Sequence, residues 1–502
     1  MLVSNRRRSL RNLLSAVIGQ VLAIAIGFML PRLYILNFGS EVNGLLNLVN
    51  QILMYMGLFE AGVGGVTLQA LYGPVARREQ GTVNGILSAT HRYYKRAGYI
   101  YLGALILISV LYPFIVKSGI DYLTVLLVLL LSGLPSAISF HAQAKYMLLL
   151  RAEGKNYIIT NLATIVTVLV GLAKAALILL GFDVLAVVFV SFLIHLIQAV
   201  YITRYIRRHY PDLSVKEQPD YQAISQKNYM LVHQISGMIL QNTDILILSA
   251  VSGLKTVSIY SVYKLVMSQM ANLAYIIQSS VDFVLGQTFQ TDVKKYVQRI
   301  DMFESLFSAL NFALHAVIFF VLYAFVRLYT QGADVNHADQ ILVYLFVGIE
   351  LLTLMRMPML QTINYAGHFK KTTPQTVLES VINVVVSLVA VYRLGIYGVL
   401  IGTIVALLYR TNEIIIYANT RILNRSPWRT YLVYGLNFLV FAIVQLIFAK
   451  IFPPIQNLID LIRTGILAGL IAVPLFLAIQ TVAWKGNRET VQFYLQKKVL
   501  RK

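Results

Sequence analysis

The sequence predicts an all-α polytopic membrane protein of about 14 transmembrane helices: two pseudo-symmetric six-helix lobes plus two C-terminal helices, both termini cytoplasmic. Three observations predict this. Of 502 residues 58% are apolar and 13% charged, with a mean hydropathy of +0.70, which lies outside the range of soluble globular chains. Hydrophobic runs of about 20 residues, the length a helix needs to cross a bilayer, recur along the whole chain. Lysine and arginine also concentrate in alternate connections, as they do in the short cytoplasmic loops of membrane proteins.

The runs place spans at residues 13–36, 44–72, 98–116, 122–147, 158–180, 184–206, 229–251, 258–286, 304–328, 340–366, 374–392, 397–419, 431–449 and 464–484. With the N-terminus inside, 30 of the 42 lysines and arginines fall in inside segments and 5 in outside loops, namely Lys117, Lys255, Arg393, Lys450 and Arg463. The net charge of +21 is therefore topological and calls for no nucleic acid. No zinc finger or glycine-rich nucleotide loop accompanies it. The absence of cysteine excludes disulfides, thiolate metal sites and cysteine nucleophiles. The basic start at Arg6 to Arg8 precedes a run too long for a signal peptide, so the first span is expected to stay.

A polar segment opening at Arg207 divides the chain into residues 1–214 and 215–424, with 425–502 as an appendix. Gly39 to Gly44 before the second span recurs as Gly253 to Ser258 before the eighth, an offset of 214. Gly154 to Gly181 likewise encloses the fifth span as Gly367 to Gly395 encloses the eleventh. Repeated halves of this kind are the signature of alternating-access transporters. The last two spans are almost free of charge, which predicts packing on the outside of the bundle.

In the eighth span Lys264, Ser268, Asn272, Tyr275, Ser279, Asp282 and Gly286 fall on one helical line. A face turned to lipid would not carry them, because an ionised group near the bilayer centre costs about 2.5–3.5 kcal/mol on insertion scales. The second span carries a related stripe that includes Asn43, Asn47 and Asn50. Seven bases lie in or at the ends of spans. Arg32, Lys145 and Arg327 are near enough to span ends to snorkel. Lys174 closes a polar face running Thr160, Thr164, Thr167 and Gly171. Lys264, Arg356 and Arg410 lie deeper, and only Arg410 has a local acid, Glu413 at i+3. The acids Glu60, Asp244, Asp282, Glu350, Glu379 and Glu413 are candidates for pairing with these bases or for carrying a coupling ion, H+ or Na+. Glu379 shares its helical line with Asn383.

Several motifs resemble one family. Gly27-Phe28-Met29-Leu30-Pro31, Phe38-Gly39 with Asn43-Gly44, and Gly57-Leu58-Phe59-Glu60-Ala61-Gly62 are similar to the opening of polysaccharide-export flippases. Ile259-Tyr260-Ser261-Val262-Tyr263-Lys264-Leu265 resembles their element at the eighth span, and Gly395-Ile396-Tyr397-Gly398-Val399-Leu400-Ile401-Gly402-Thr403 their turn between spans eleven and twelve. The family is the oligosaccharide-lipid flippases of the multidrug, oligosaccharidyl-lipid and polysaccharide exporter superfamily.

The resemblance implies a multi-pass plasma-membrane protein that is not an enzyme, needs no cofactor or metal, and moves undecaprenyl-diphosphate-linked oligosaccharide across the membrane through a central cavity. Glycosyltransferases and a glycan polymerase of the same pathway are the implied partners. Lys264, Arg356, Arg410 and Lys174 would then hold the diphosphate. Asn47, Asn50, Ser268, Asn272, Tyr275, Ser279 and Asn383 would line the cavity. Fourteen spans match the lipid II flippases, but the arginine-rich first-span pattern of that group is missing. The alternatives are a cation-coupled multidrug antiporter of the same superfamily and a membrane glycan polymerase or ligase.

Overall fold

A computed structural model describes residues 2–57, 63–215, 217–222, 243–484 and 486–489, with side chains from residue 19 onward except at 65, 283, 369 and 370. Every regular element among these residues is helical. The first unit contains α1 (Leu2–Phe38), α2 (Ser40–Met56), α3 (Val63–Arg77), α4 (Gln80–Leu111), α5 (Tyr122–Ala142), α6 (Ala144–Ala152), α7 (Asn156–Leu179) and α8 (Val184–His209). After a further helical stretch at 243–251 come α9 (Leu254–Thr291), α10 (Val293–Tyr329), α11 (Gln340–Met355), α12 (Met357–Tyr365), α13 (Phe369–Leu394), α14 (Ile396–Tyr417), α15 (Trp428–Ile451) and α16 (Leu458–Ala483).

Eleven helices among the described residues are long and apolar enough to cross a membrane. The other three spans read from the sequence fall on α2 with α3, on 229–251, and on α9. Glu60 lies outside the described residues.

Local chemistry sets where the helices begin. Asp121, Asp183, Asp292, Asp339 and Asn457 each cap a helix, their side chains accepting from the backbone N–H of Thr124, Ala186, Lys295, Ile341 and Asp460 at 2.7–3.0 Å. Left-handed glycines mark the turns, and among the described residues six of the seven come in pairs: Gly39 and Gly253 at φ 84° and 88°, Gly154 and Gly367 at 72° and 67°, Gly181 and Gly395 at 82° and 56°. Those pairs sit at the repeat offset read from the sequence. A further pair of breaks sits at nearly that spacing, between α5 and α6 at Gln143 and between α11 and α12 at Arg356.

The chain divides into two compact units, residues 1–259 with 333–335, and residues 260–332 with 336–502. This places 215–259 with the first unit, whereas the repeat puts the boundary at 214. Residues 333–335 belong to the first unit because the Asp334 carboxylate accepts the Ser40 N–H at 2.8 Å and its hydroxyl at 2.6 Å, at the positive end of the α2 dipole. The core of this unit is built from α2, α4 and α5, with Leu48, Leu87, Tyr94, Tyr101 and Val128 fully buried. α7 packs on α1 where Gly171 admits Ile26 and Gly19 admits Thr164.

The second unit is organised on α10, against which α15 and α16 pack. The fully buried Glu304 of α10 accepts from Arg429 at 2.7 Å and Thr430 at 2.9 Å, and Asp301 accepts from Arg425 at 2.5 Å. The outer faces of α15 and α16 expose Leu432, Leu446, Ile459 and Leu470, as lipid-facing helices do. α13 and α14 pack closest where Gly398 meets Ala390 and Gly402 meets Ser387.

A Cβ at Gly398 would sit 2.5 Å from the backbone carbonyl of Ala390, which cannot yield as a side chain would. Gly398→Ala is therefore expected to cost about 1–3 kcal/mol. Gly435→Ala, with nothing within 4 Å, should be neutral or stabilising. Thermal unfolding in detergent compares the two, and equal midpoints would remove the close α13–α14 approach from the account.

Candidate functional site

The rotation of α9 is set by the side opposite the polar line. Tyr263 is fully buried, stacks on Phe346 at 5.2 Å, donates to the carbonyls of His337 (3.0 Å) and Asp339 (3.1 Å), and accepts the Asp339 N–H at 2.8 Å. Successive helical residues are separated by about 100°, so this anchor directs Lys264 away from the packed face. Lys264, Asn272, Tyr275 and Ser279 are exposed, and Ser268 is half-buried. The hydroxyls of Ser268 and Ser279 donate to their own helix at Leu265 and Ile276, both at 2.9 Å, which leaves their oxygens to accept from a ligand.

The line closes at Asp282, which accepts the Tyr365 hydroxyl at 2.7 Å, and at Gly286, over which the Tyr365 ring lies. Sequence reasoning missed Tyr365, which is 83 residues from its partner.

Among the described residues no carboxylate lies within ion-pair distance of Lys264. The buried Glu350 of α11 is within electrostatic range of it, and the Oε1 of Glu350 has no hydrogen-bond partner among the described residues.

The two deep arginines are placed differently. Arg356, at the break between α11 and α12, donates to Glu379 at 2.6 Å. Arg410 pairs with Glu413, reaches the second oxygen of Glu379 at 3.6 Å, and donates to Thr376 at 3.0 Å. Two guanidiniums and two carboxylates thus form a neutral cluster joining α11–α12, α13 and α14. Its side chains are only 4–18% exposed. Glu413 was readable as the partner of Arg410 from its i+3 spacing, but Glu379 and Thr376 were not. Asn383 is also spent on packing, donating to Thr403 at 3.0 Å across the α13–α14 contact.

In the first unit Asn43 donates to Ser258 at 2.8 Å, and Asn47 donates to the Asn43 carbonyl at 2.8 Å. Asn50 is exposed, and Asp244 is buried beside Tyr55. The threonine face below Lys174 is the seam on which α1 packs, which accounts for Thr164 and Gly171 as helix-packing residues. Lys174 itself is half-buried with no carboxylate at ion-pair distance among the described residues.

Of the bases expected to snorkel, Lys145 does something else, and Arg327 is exposed and reaches a turn. Lys145 is buried, donating to His91 Nδ1 at 3.1 Å and the His141 carbonyl at 3.2 Å, because α6 turns it inward after the break at Gln143. Arg327 donates to the Ile455 carbonyl at 2.6 Å, tying α10 to the turn before α16.

The long apolar helices among the described residues mark a multi-pass membrane protein, and solved structures share its fold. The lipid II flippase MurJ, in an inward closed conformation, superposes with a TM-score of 0.69 at 12% identity over 94% of this chain and 99% of that one. An inward-facing multidrug resistance MATE family transporter of the MOP superfamily gives 0.62 at 15% identity over 80% and 94%. A MOP superfamily transporter from Pyrococcus furiosus gives 0.52 at 14% identity over 83% and 96%. No family model and no curated protein matches the sequence. The chain has the fold of the MOP superfamily transporters.

Because Glu379 serves both arginines, Glu379→Gln is expected to destabilise by roughly 3 kcal/mol, as for a broken buried pair, and by more than Glu413→Gln does. Thermal unfolding of the two variants in the same detergent tests this. A smaller loss for Glu379→Gln would mean that the cluster is not organised on Glu379.

Proposed function

We propose that this chain is a plasma-membrane flippase that moves undecaprenyl-diphosphate-linked oligosaccharide units by alternating access, for capsule, exopolysaccharide or cell-wall polysaccharide synthesis. One observation carries the reading: Lys264 stands on an exposed polar line with no carboxylate at ion-pair distance among the described residues. An ammonium in that position calls for an anionic ligand. A diphosphate supplies the charge, and the oxygens and amides of Ser268, Asn272 and Ser279 suit sugar hydroxyls.

Lys174, also without a carboxylate at that distance, is the second candidate for the diphosphate. Arg356 and Arg410 would join only with Glu379 and Glu413 displaced or protonated. Glu350, buried near Lys264, is the acid we assign to coupling, by H+ or Na+. The similarity to MurJ, over 94% of this chain and 99% of that one, supports a lipid-linked cargo. Transport without covalent change makes the chain a carrier and not an enzyme. Pathway glycosyltransferases and a glycan polymerase would supply and consume its cargo.

The MATE similarity favours a second reading, cation-coupled drug antiport. A cationic cargo, however, would meet Lys264 where it needs a carboxylate.

Complementation of a capsule-producing strain that lacks its own flippase separates these readings. Lys264→Ala is expected to abolish export and Lys264→Arg to retain much of it, with protein levels checked by immunoblot. Full export by Lys264→Ala would remove this residue from the mechanism.

A further inference from the structure

The first unit holds a second group of cations that transport by Lys264 does not use. His91, Lys95 and Tyr99 lie at i, i+4 and i+8 on α4, and α5 and α6 bring His141 and Lys145 against them. Lys145 is 4% exposed, and its ammonium donates to His91 Nδ1 and the His141 carbonyl and lies 4.6 Å from the Tyr146 ring centre. Because an ammonium only donates, His91 Nδ1 must accept, which leaves the proton of the neutral ring on Nε2 as a free donor. His141 bonds the Ala137 carbonyl through Nδ1 at 2.9 Å and meets the Tyr99 ring at 4.9 Å. A side chain at position 98 would overlap the His141 ring, so Gly98 is what lets the group assemble.

The charged and titratable groups acting on His91 are Lys145, Lys95 and His141, and no carboxylate lies within ion-pair distance of either lysine among the described residues. A buried ammonium with only neutral acceptors is costly, and an anion would offset that cost. Lys145 has a third N–H, His91 offers Nε2–H, and Lys95 is exposed beside them. Beside Lys95, α4 presents an exposed apolar strip of Tyr99, Ile100, Ile106 and Leu107.

We propose that His91, Lys95 and Lys145 bind the phosphate group of a membrane lipid whose hydrocarbon chain runs along this strip of α4. Three donors with two formal positive charges match a phosphate, and the adjoining apolar surface selects a lipid over a soluble anion. The site stands apart from the cargo reading. It is built in the first unit, whereas Lys264 belongs to the second.

The test uses the full chain in detergent, with thermal unfolding and native mass spectrometry read against added phosphatidylglycerol, phosphatidylcholine, a polyprenyl diphosphate and inorganic pyrophosphate. Phosphatidylglycerol or the polyprenyl diphosphate is expected to bind and stabilise more than phosphatidylcholine, and whichever does so more strongly identifies the source. Lys145→Met should weaken that binding about tenfold or more, the effect of losing a charged hydrogen bond. Lys95→Gln, at an exposed position, keeps the test usable where Lys145→Met does not fold, and should also weaken it. All comparisons are made in the Lys264→Ala background, which takes diphosphate binding at the transport lysine out of the readout, so failure of this site and failure of the transport reading are distinguishable. Equal binding with and without Lys95→Gln in that background, or stabilisation by pyrophosphate as strong as by either lipid, would overturn the proposal.

Discussion

A charge inside a hydrophobic helix bundle has to be compensated, and the ways this chain does so organise the rest of its structure. Arg356 and Arg410 are compensated within the protein, by Glu379 and Glu413. Asp301 and Glu304 are compensated by Arg425 and Arg429, and that cluster fastens the last two helices to α10. Lys264 has neither arrangement. The Tyr263 anchor, with its bonds to His337 and Asp339 and its stacking on Phe346, fixes the helix so that the adjacent lysine stays on the open side. Rigid placement of a cation in this way is what recognition of an anionic group requires, since a freely rotating helix would let it retreat to a carboxylate.

The repeat is carried by backbone conformation more than by side chains. Left-handed glycines recur at matched positions of the two halves, and helix breaks recur at Gln143 and Arg356. The breaks have been put to different uses. In the first half the break turns Lys145 into a cluster of imidazoles, and in the second it places Arg356 on Glu379. A duplicated scaffold can therefore keep its turns while its charged groups diverge, because the turns demand glycine and the charges demand only a partner within reach.

How much could be read from the chain follows the range of each interaction. The helical fold and the polar line on α9 were legible because both depend on hydrophobic periodicity, a local property. The Arg410–Glu413 pair was legible for the same reason. Glu379, which is 23 residues from Arg356, became a partner only through tertiary packing, as did Tyr365 for Asp282. Periodicity also cannot tell a polar group that lines a cavity from one that joins two helices. Asn43 and Asn383 prove to be joints, whereas Asn272 and Ser279 remain open. Lys145 lies near the end of its span, but depth along a helix says nothing about which way the side chain turns.

Reconstituted transport addresses the central claim most directly. The full chain would be placed in liposomes whose inner or outer leaflet holds a fluorescent polyprenyl-diphosphate-linked oligosaccharide, and movement between leaflets would be followed by quenching from outside. Wild-type protein should move the lipid well above the rate in protein-free liposomes, and soluble pyrophosphate should slow it by competing for Lys264. Leaflet exchange no faster than in empty liposomes, in vesicles that do extrude a cationic dye, would contradict the account.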